Sequence, residues 1–145
     1  MVALISEEDM SSNLAINVVG AQGKAPVTIF RLKGSIDTNT YMQLQDRADE
    51  AYRNGTRNLL LDLTEVNYVS SAGLRAFHYI YTILRSNSAG ESEEAVSKGL
   101  LAGTYRSLHL KLLNPSRNVR EVLKTAGFDM YIEIFDNQQK AVASF

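Results

Sequence analysis

The chain has 145 residues, 45% hydrophobic and 21% charged, with 15 Lys and Arg against 16 Asp and Glu, for a formal net charge of −1. That is the length of one domain able to bury roughly 70% of its unfolded surface, and the charge balance excludes a nucleic-acid binder relying on bulk positive charge and a polybasic membrane anchor. The absence of cysteine excludes a disulfide framework, a thiolate nucleophile and Cys-ligated metals, and two histidines, His78 and His109, leave a thin supply for metal or acid–base chemistry.

Residues 1–12 carry Glu7, Glu8 and Asp9 and lack the basic start and apolar centre of a secretory signal. They read as a mobile leader before a single domain over 13–145. No apolar run approaches a membrane span, so the expectation is a soluble, cytoplasmic protein. Leu14–Val19 alternates apolar residues and Val27–Leu32 is dense in Val, Ile and Phe, with the turn formers of Gly20–Pro26 between them, which predicts a hairpin. Lys33-Gly34 is expected to close the second strand. Asp37-Thr38-Asn39-Thr40 offers several N-caps for a helix over 38–54, with Tyr41, Leu44, Ala48, Ala51 and Tyr52 at helical spacing and Asn54-Gly55 as its stop.

The nearly continuous apolar run Asn58–Leu63 suits a central strand covered on both faces. Thr64–Val69 is expected to be a loop. Ser70-Ser71-Ala72-Gly73-Leu74 then opens a long helix to about Arg85, with Ala72, Ala76, Tyr79, Ile80 and Ile83 on one face. Residues 86–104 change character. Ser86–Glu91 reads as a linker, and Glu93–Leu101 as a short helix capped by Ser92. Tyr105–Leu113 alternates as a strand. Asn114-Pro115-Ser116 opens a helix striped by Val119, Val122, Leu123 and Ala126 and ended by Gly127. Met130–Phe135 is expected as a last strand, and Asp136 as the cap of a short C-terminal helix. Strands alternating with helices after a hairpin predict an α/β fold: a mixed, mostly parallel sheet with an N-terminal antiparallel hairpin and about four helices.

Catalytic signatures do not occur. There is no Gly-x-Gly-x-x-Gly and no phosphate-cradling glycine loop ending in Lys-Ser/Thr, and Val-Ser-Ser-Ala-Gly around Ser71 is not a nucleophile elbow. Ser71 and His78 lie two helical turns apart, about 10 Å of rise, too far for a direct dyad. His78 is expected to face solvent beside Arg75, and His109 to be structural. No catalytic residue, metal or cofactor is expected. The distinctive feature is a strand that leads into a serine pair at a helix start. The first turn there has unpaired N–H groups and a positive dipole. A hydroxyl at that point can act as an N-cap, and once phosphorylated it would set about −1.5 to −2 charges against those donors.

Three stretches, in order, resemble the STAS family, named for sulfate transporters and anti-sigma factor antagonists: Phe30–Asp37, Leu60–Arg75, and Leu112–Ser116 continuing through Val119–Leu123 to Ala126-Gly127-Phe128. The resemblance implies the STAS fold and a partner-switching role. A bacterial anti-sigma factor antagonist binds an anti-sigma factor that is also a serine kinase; phosphorylation of a serine at the start of the second helix ends binding, and a phosphatase restores it. By the motif that serine is Ser71, the Asp of the Gly-x-Ile/Leu-Asp motif is Asp37, and the expected partner surface is Asp37, Thr38, Ser70, Ser71, Ala72, Gly73, Leu74 and Arg75. The family often has Asp immediately before the serine; Ser70 stands there, which makes it a second candidate for phosphorylation.

Residues 87–104 exceed what this connection needs in the resembled family. Because the second helix starts at the carboxyl end of the central strand, this insertion is expected at the end of the sheet away from Ser71. It would modify a separate surface for self-association, as in a homodimer, or for a further partner; a mobile, solvated excursion is the plainer alternative. Two other readings of the whole chain stay open: a non-phosphorylated STAS subunit organising a transport or signalling complex, and a small-ligand domain binding an anion or nucleotide at the Ser70–Gly73 turn.

Overall fold

The computed structural model describes residues 14–86, 88 and 91–145; the leader expected over residues 1–12 lies outside them. In chain order the described elements are β1 (Ala15–Gln22), β2 (Pro26–Ile36), α1 (Tyr41–Arg53), β3 (Leu59–Val69), α2 (Ser71–Arg85), α3 (Glu93–Ala102), β4 (Leu110–Leu113), α4 (Arg117–Thr125), a 3-10 turn (Phe128–Met130), β5 (Ile134–Phe135) and α5 (Gln138–Ala143). The strands form one sheet in the order β1-β2-β3-β4-β5. β1 runs antiparallel to β2, and every later pairing is parallel, as a hairpin followed by helical crossovers requires.

Strand alternation sorts the side chains into two layers. Phe30 and Leu32, Leu59, Leu61 and Leu63, and Leu110 and Leu112 enter the main core with Leu44 and Ala48 of α1, Ala76, Phe77 and Ile80 of α2, and Val119 and Leu123 of α4. On the other face Val27, Ile29, Leu60 and Leu113 meet Ala141 and Val142 of α5. β3 is thus covered on both faces. Lys111 lies among the buried residues of β4; its Nζ donates to the Ser144 carbonyl at 3.0 Å and to the Ser144 hydroxyl at 2.9 Å and pairs with Glu133 at 3.2 Å, tying the chain end to the sheet.

Several boundaries differ from the sequence reading, each for a local reason. β2 does not stop at Lys33-Gly34 but runs to Ile36, because Gly34 takes φ +120 and the strand bends through a register shift after it. The expected loop Thr64–Val69 is the second half of β3; two register shifts against β2 break its alternation and conceal it from a period-two pattern. α1 begins at Tyr41 rather than 38, with Thr40 at its N-cap position making no side-chain cap bond, because Asp37–Thr40 is spent on a turn. The strand expected over Tyr105–Leu113 is confined to Leu110–Leu113, and that over Met130–Phe135 to Ile134–Phe135, because a 3-10 turn takes Phe128–Met130. α5 is capped by Asn137, whose side chain accepts from the Lys140 N–H at 2.9 Å, one residue beyond the expected Asp136.

Candidate functional site

The carboxyl ends of β2 and β3 deliver two chain segments to one rim of the sheet. After β2, Asp37 opens a tight turn. The N–H groups of Thr40 and Tyr41 donate to the Asp37 carbonyl at 3.1 and 2.9 Å, and the Asn39 N–H donates to Asp37 Oδ1 at 2.9 Å. Thr40, 4% exposed, locks the turn from beneath: its hydroxyl donates to the Ser35 carbonyl at 2.7 Å and accepts from the Asp37 N–H at 3.0 Å. Thr38 is left exposed at the tip, and Asp37 half-buried. After β3, the Ser70 N–H donates to the Ile36 carbonyl at 2.9 Å, which ties the second segment to the first.

The two serines have different environments. Ser70 is the N-cap of α2: its backbone is extended, and its Oγ accepts from the N–H groups of Ala72 at 3.1 Å and Gly73 at 3.3 Å. A hydroxyl here satisfies donors that have no intrahelical partner. Ser71, the first helical residue, is exposed. Ala72 and Gly73 are buried and form the floor of the turn, while Leu74 is half-buried and Arg75 exposed. Gly73 is required for the approach of the two segments: a Cβ there would stand 2.5 Å from the Ile36 carbonyl oxygen. Of the expected partner-contact set, the structure therefore presents Asp37, Thr38, Ser71, Leu74 and Arg75 on the rim, with Ser70, Ala72 and Gly73 shaping it. The sequence reading offered Thr40 only as a cap; its role in fixing the turn has no signal beyond its place in Asp-Thr-Asn-Thr.

Neither histidine belongs to the rim chemistry. His78 is exposed on α2, its ring 5.9 Å from that of Tyr81. His109 contacts Asn58 Oδ1 through Nδ1 at 2.7 Å and the Ser88 hydroxyl through Nε2 at 2.9 Å, a bridging structural position. That bridge also places the insertion. Asn58 immediately precedes β3, so the base of the insertion sits at the end of the strand opposite Ser71, about 30 Å away along an eleven-residue strand. Its described part contains a capped helix, α3, with Ser92 accepting from the Ala95 N–H at 3.1 Å, Val96 buried, and Gly99 set against Tyr105. Beneath it Glu91, 3% exposed, accepts from the Tyr105 hydroxyl, which meets the Tyr81 hydroxyl at 2.8 Å. Burial first, then its bonds to Glu91 and Tyr81, raise the Tyr105 pKa above its ordinary value. Among the described residues there is no group of three or more His, Cys, Asp or Glu placed to hold a metal, and no helix long and apolar enough to cross a membrane.

A hairpin-started, otherwise parallel sheet, with helices on both faces and a serine-capped helix end at its rim, defines an α/β domain that offers a surface. The STAS domain family matches residues 18–90, half of the chain, and the chain belongs to that family. Solved structures share the fold. An anti-sigma factor antagonist from Mycobacterium paratuberculosis is 16% identical, with a TM-score of 0.66 over 90% of this chain and 92% of that one. A putative anti-sigma factor antagonist from Thermotoga maritima is 17% identical, with a TM-score of 0.66 over 87% and 90%. The Bacillus cell fate determinant SpoIIAA in its phosphorylated form is 16% identical, with a TM-score of 0.58 over 88% and 96%. No curated protein matches the sequence.

Proposed function

We propose that this chain is an anti-sigma factor antagonist-like partner-switching protein. It binds an anti-sigma factor that is also a serine kinase through the rim carrying Asp37, Thr38, Ser71, Leu74 and Arg75. Phosphorylation of Ser71 ends the binding and a cognate phosphatase restores it. The role is one of binding, not catalysis. The observation that carries this reading is the division of labour in the serine pair: Ser70 caps α2, and the exposed Ser71 beside it is spared that task. Ser and Asp are comparable N-caps, so Ser70 does locally what an Asp before the serine would do, and Ser71 can take a phosphate at the positive end of a helix. The fold shared with anti-sigma factor antagonists, one of them described in a phosphorylated form, supports the reading.

The test is phosphosite mapping. The purified chain, its Ser70→Ala variant and its Ser71→Ala variant are incubated with ATP and an extract of the source cells, then measured by intact mass and peptide mapping. One phosphate is expected on the parent chain and on Ser70→Ala, and none on Ser71→Ala. A phosphate on Ser70, or no phosphate on any chain, overturns the assignment.

A further inference from the structure

Among the described residues β1 is an edge strand without the usual protection. Natural edges are blunted by charged residues, proline, bulges or brevity. Ala15–Gln22 is eight residues long, contains no charged residue and no proline, and pairs with β2 over eight consecutive residues without a register shift. The opposite edge of the sheet, β5, has two residues. Half of the N–H and C=O groups of β1 point away from β2, a template for another strand. Val18, on the helix-covered face opposite Phe30, is 42% exposed. Beside it a groove of about 300 Å³ between β1 and α1 has Val18, Gly20, Phe30 and Ala51 in its lining, together with the Arg47–Glu50 ion pair of α1.

From this edge we propose that a second copy of this chain pairs with β1, antiparallel about a two-fold axis through Val18, joining two five-stranded sheets into one. Self-complementarity selects a second copy. Centring on Val18 sets Val18 against its own equivalent and Ile16 against Gly20, with all four side-chain positions on the helix-covered face. No atom lies within 4 Å of where a Cβ on Gly20 would stand, so Ile16 of the second copy enters an open place in the groove. An isologous contact would oppose any charge to itself, and this strand has none to oppose; a net charge of −1 adds little repulsion between copies. The edge is two strands removed from β3, whose end carries Ser71, so pairing leaves the rim free and stands apart from the phosphorylation proposal.

Sedimentation and light scattering on the full chain test this, together with two variants. The parent chain is expected at twice the single-chain mass. Val18→Lys puts a charge against its own equivalent and is expected at single mass while still unfolding cooperatively, with a melting temperature that no longer depends on protein concentration. The chain has no cysteine, so Val18→Cys supplies one thiol per copy, and a short thiol–thiol crosslinker is expected to convert it to covalent dimer. Lys24→Cys, placed in the hairpin turn six residues from the axis and so about 40 Å from its equivalent, is expected to stay uncrosslinked. A parent chain of single mass overturns the proposal, whether the edge is open or covered by residues 1–13 of the same chain. A dimer in which Val18→Cys fails to crosslink overturns it as well, and that outcome is readable even if Val18→Lys does not fold.

Discussion

A Cβ at position 73 would stand 2.5 Å from the Ile36 carbonyl oxygen and 2.9 Å from Val69 Cγ1, in a place where backbone, not a flexible side chain, must yield. Gly73→Ala is therefore expected to lower stability by about 1–3 kcal/mol, the range for forcing atoms into a packed site, read as a lower denaturant midpoint at constant m. An unchanged midpoint would mean that α2 can ride away from β2 without cost. The serines differ in a parallel way. Ser70→Ala removes the acceptor of two helix N–H groups and is expected to cost about 1 kcal/mol. Ser71→Ala touches an exposed position and is expected to stay within about 0.5 kcal/mol of the parent. Equal losses would show that both hydroxyls cap. The serine–helix junction was legible in the sequence because the Ser-Ser-Ala-Gly run combines a cap with a small residue. Which serine caps was not, since both are good N-caps and the choice rests on where the β3 backbone ends against Ile36.

At the scale of elements, the strands and helices whose periodicity is set by a single core face were readable, and those interrupted by tertiary demands were not. Val66 and Val69 are buried, yet they stand three apart because β3 bulges there, so no alternation marked the strand. Tyr105 falls inside the run read as a strand but turns to the insertion, where its hydroxyl donates to Glu91. That contact carries two predictions. Tyr105→Phe removes the donor to a buried carboxylate whose other oxygen, Oε1, has no partner among the described residues, and is expected to cost about 1–3 kcal/mol or more. Heat or denaturant unfolding measures it, and a loss below about 0.5 kcal/mol would show that the carboxylate turns out to solvent. The same cluster gives an alkaline transition. Burial pushes Tyr131 up to about 12, and Tyr105 is raised in the same direction. Unfolded tyrosines ionise near pH 10. Above that pH the unfolded chain has released phenolic protons that the folded chain keeps, so stability falls as pH rises from about 10 through about 12 and is fully present below. Tyr131→Phe is expected to flatten that fall; an identical pH profile in the variant would place the transition elsewhere.

For the whole molecule, the sheet separates its surfaces by direction. The carboxyl ends of β2 and β3 carry the Asp37 turn and Ser71, and the insertion is anchored by His109 at the other end of β3. A charge placed on Ser71 therefore acts on the rim without touching the insertion or the C-terminal helix behind the sheet. The magnitudes decide what such a charge does. Its interaction with the exposed helix end is favourable by about 0.3–1 kcal/mol and at most near 2, too little to reorganise a fold of this size. Burying the same unpaired charge beneath a partner costs several kcal/mol after relaxation, and every 1.4 kcal/mol is tenfold in affinity. If the rim binds the proposed kinase partner, Ser71→Asp, with one formal charge, is thus expected to weaken that binding by about tenfold or more, and a phosphate on Ser71 by about a hundredfold or more. Both forms are expected to melt within a few degrees of the parent. Titration calorimetry against the kinase, paired with scanning calorimetry of each form alone, checks both halves. Undiminished affinity would show that Ser71 lies outside the interface; a collapse in melting temperature would show that the charge acts by unfolding the rim rather than by blocking it.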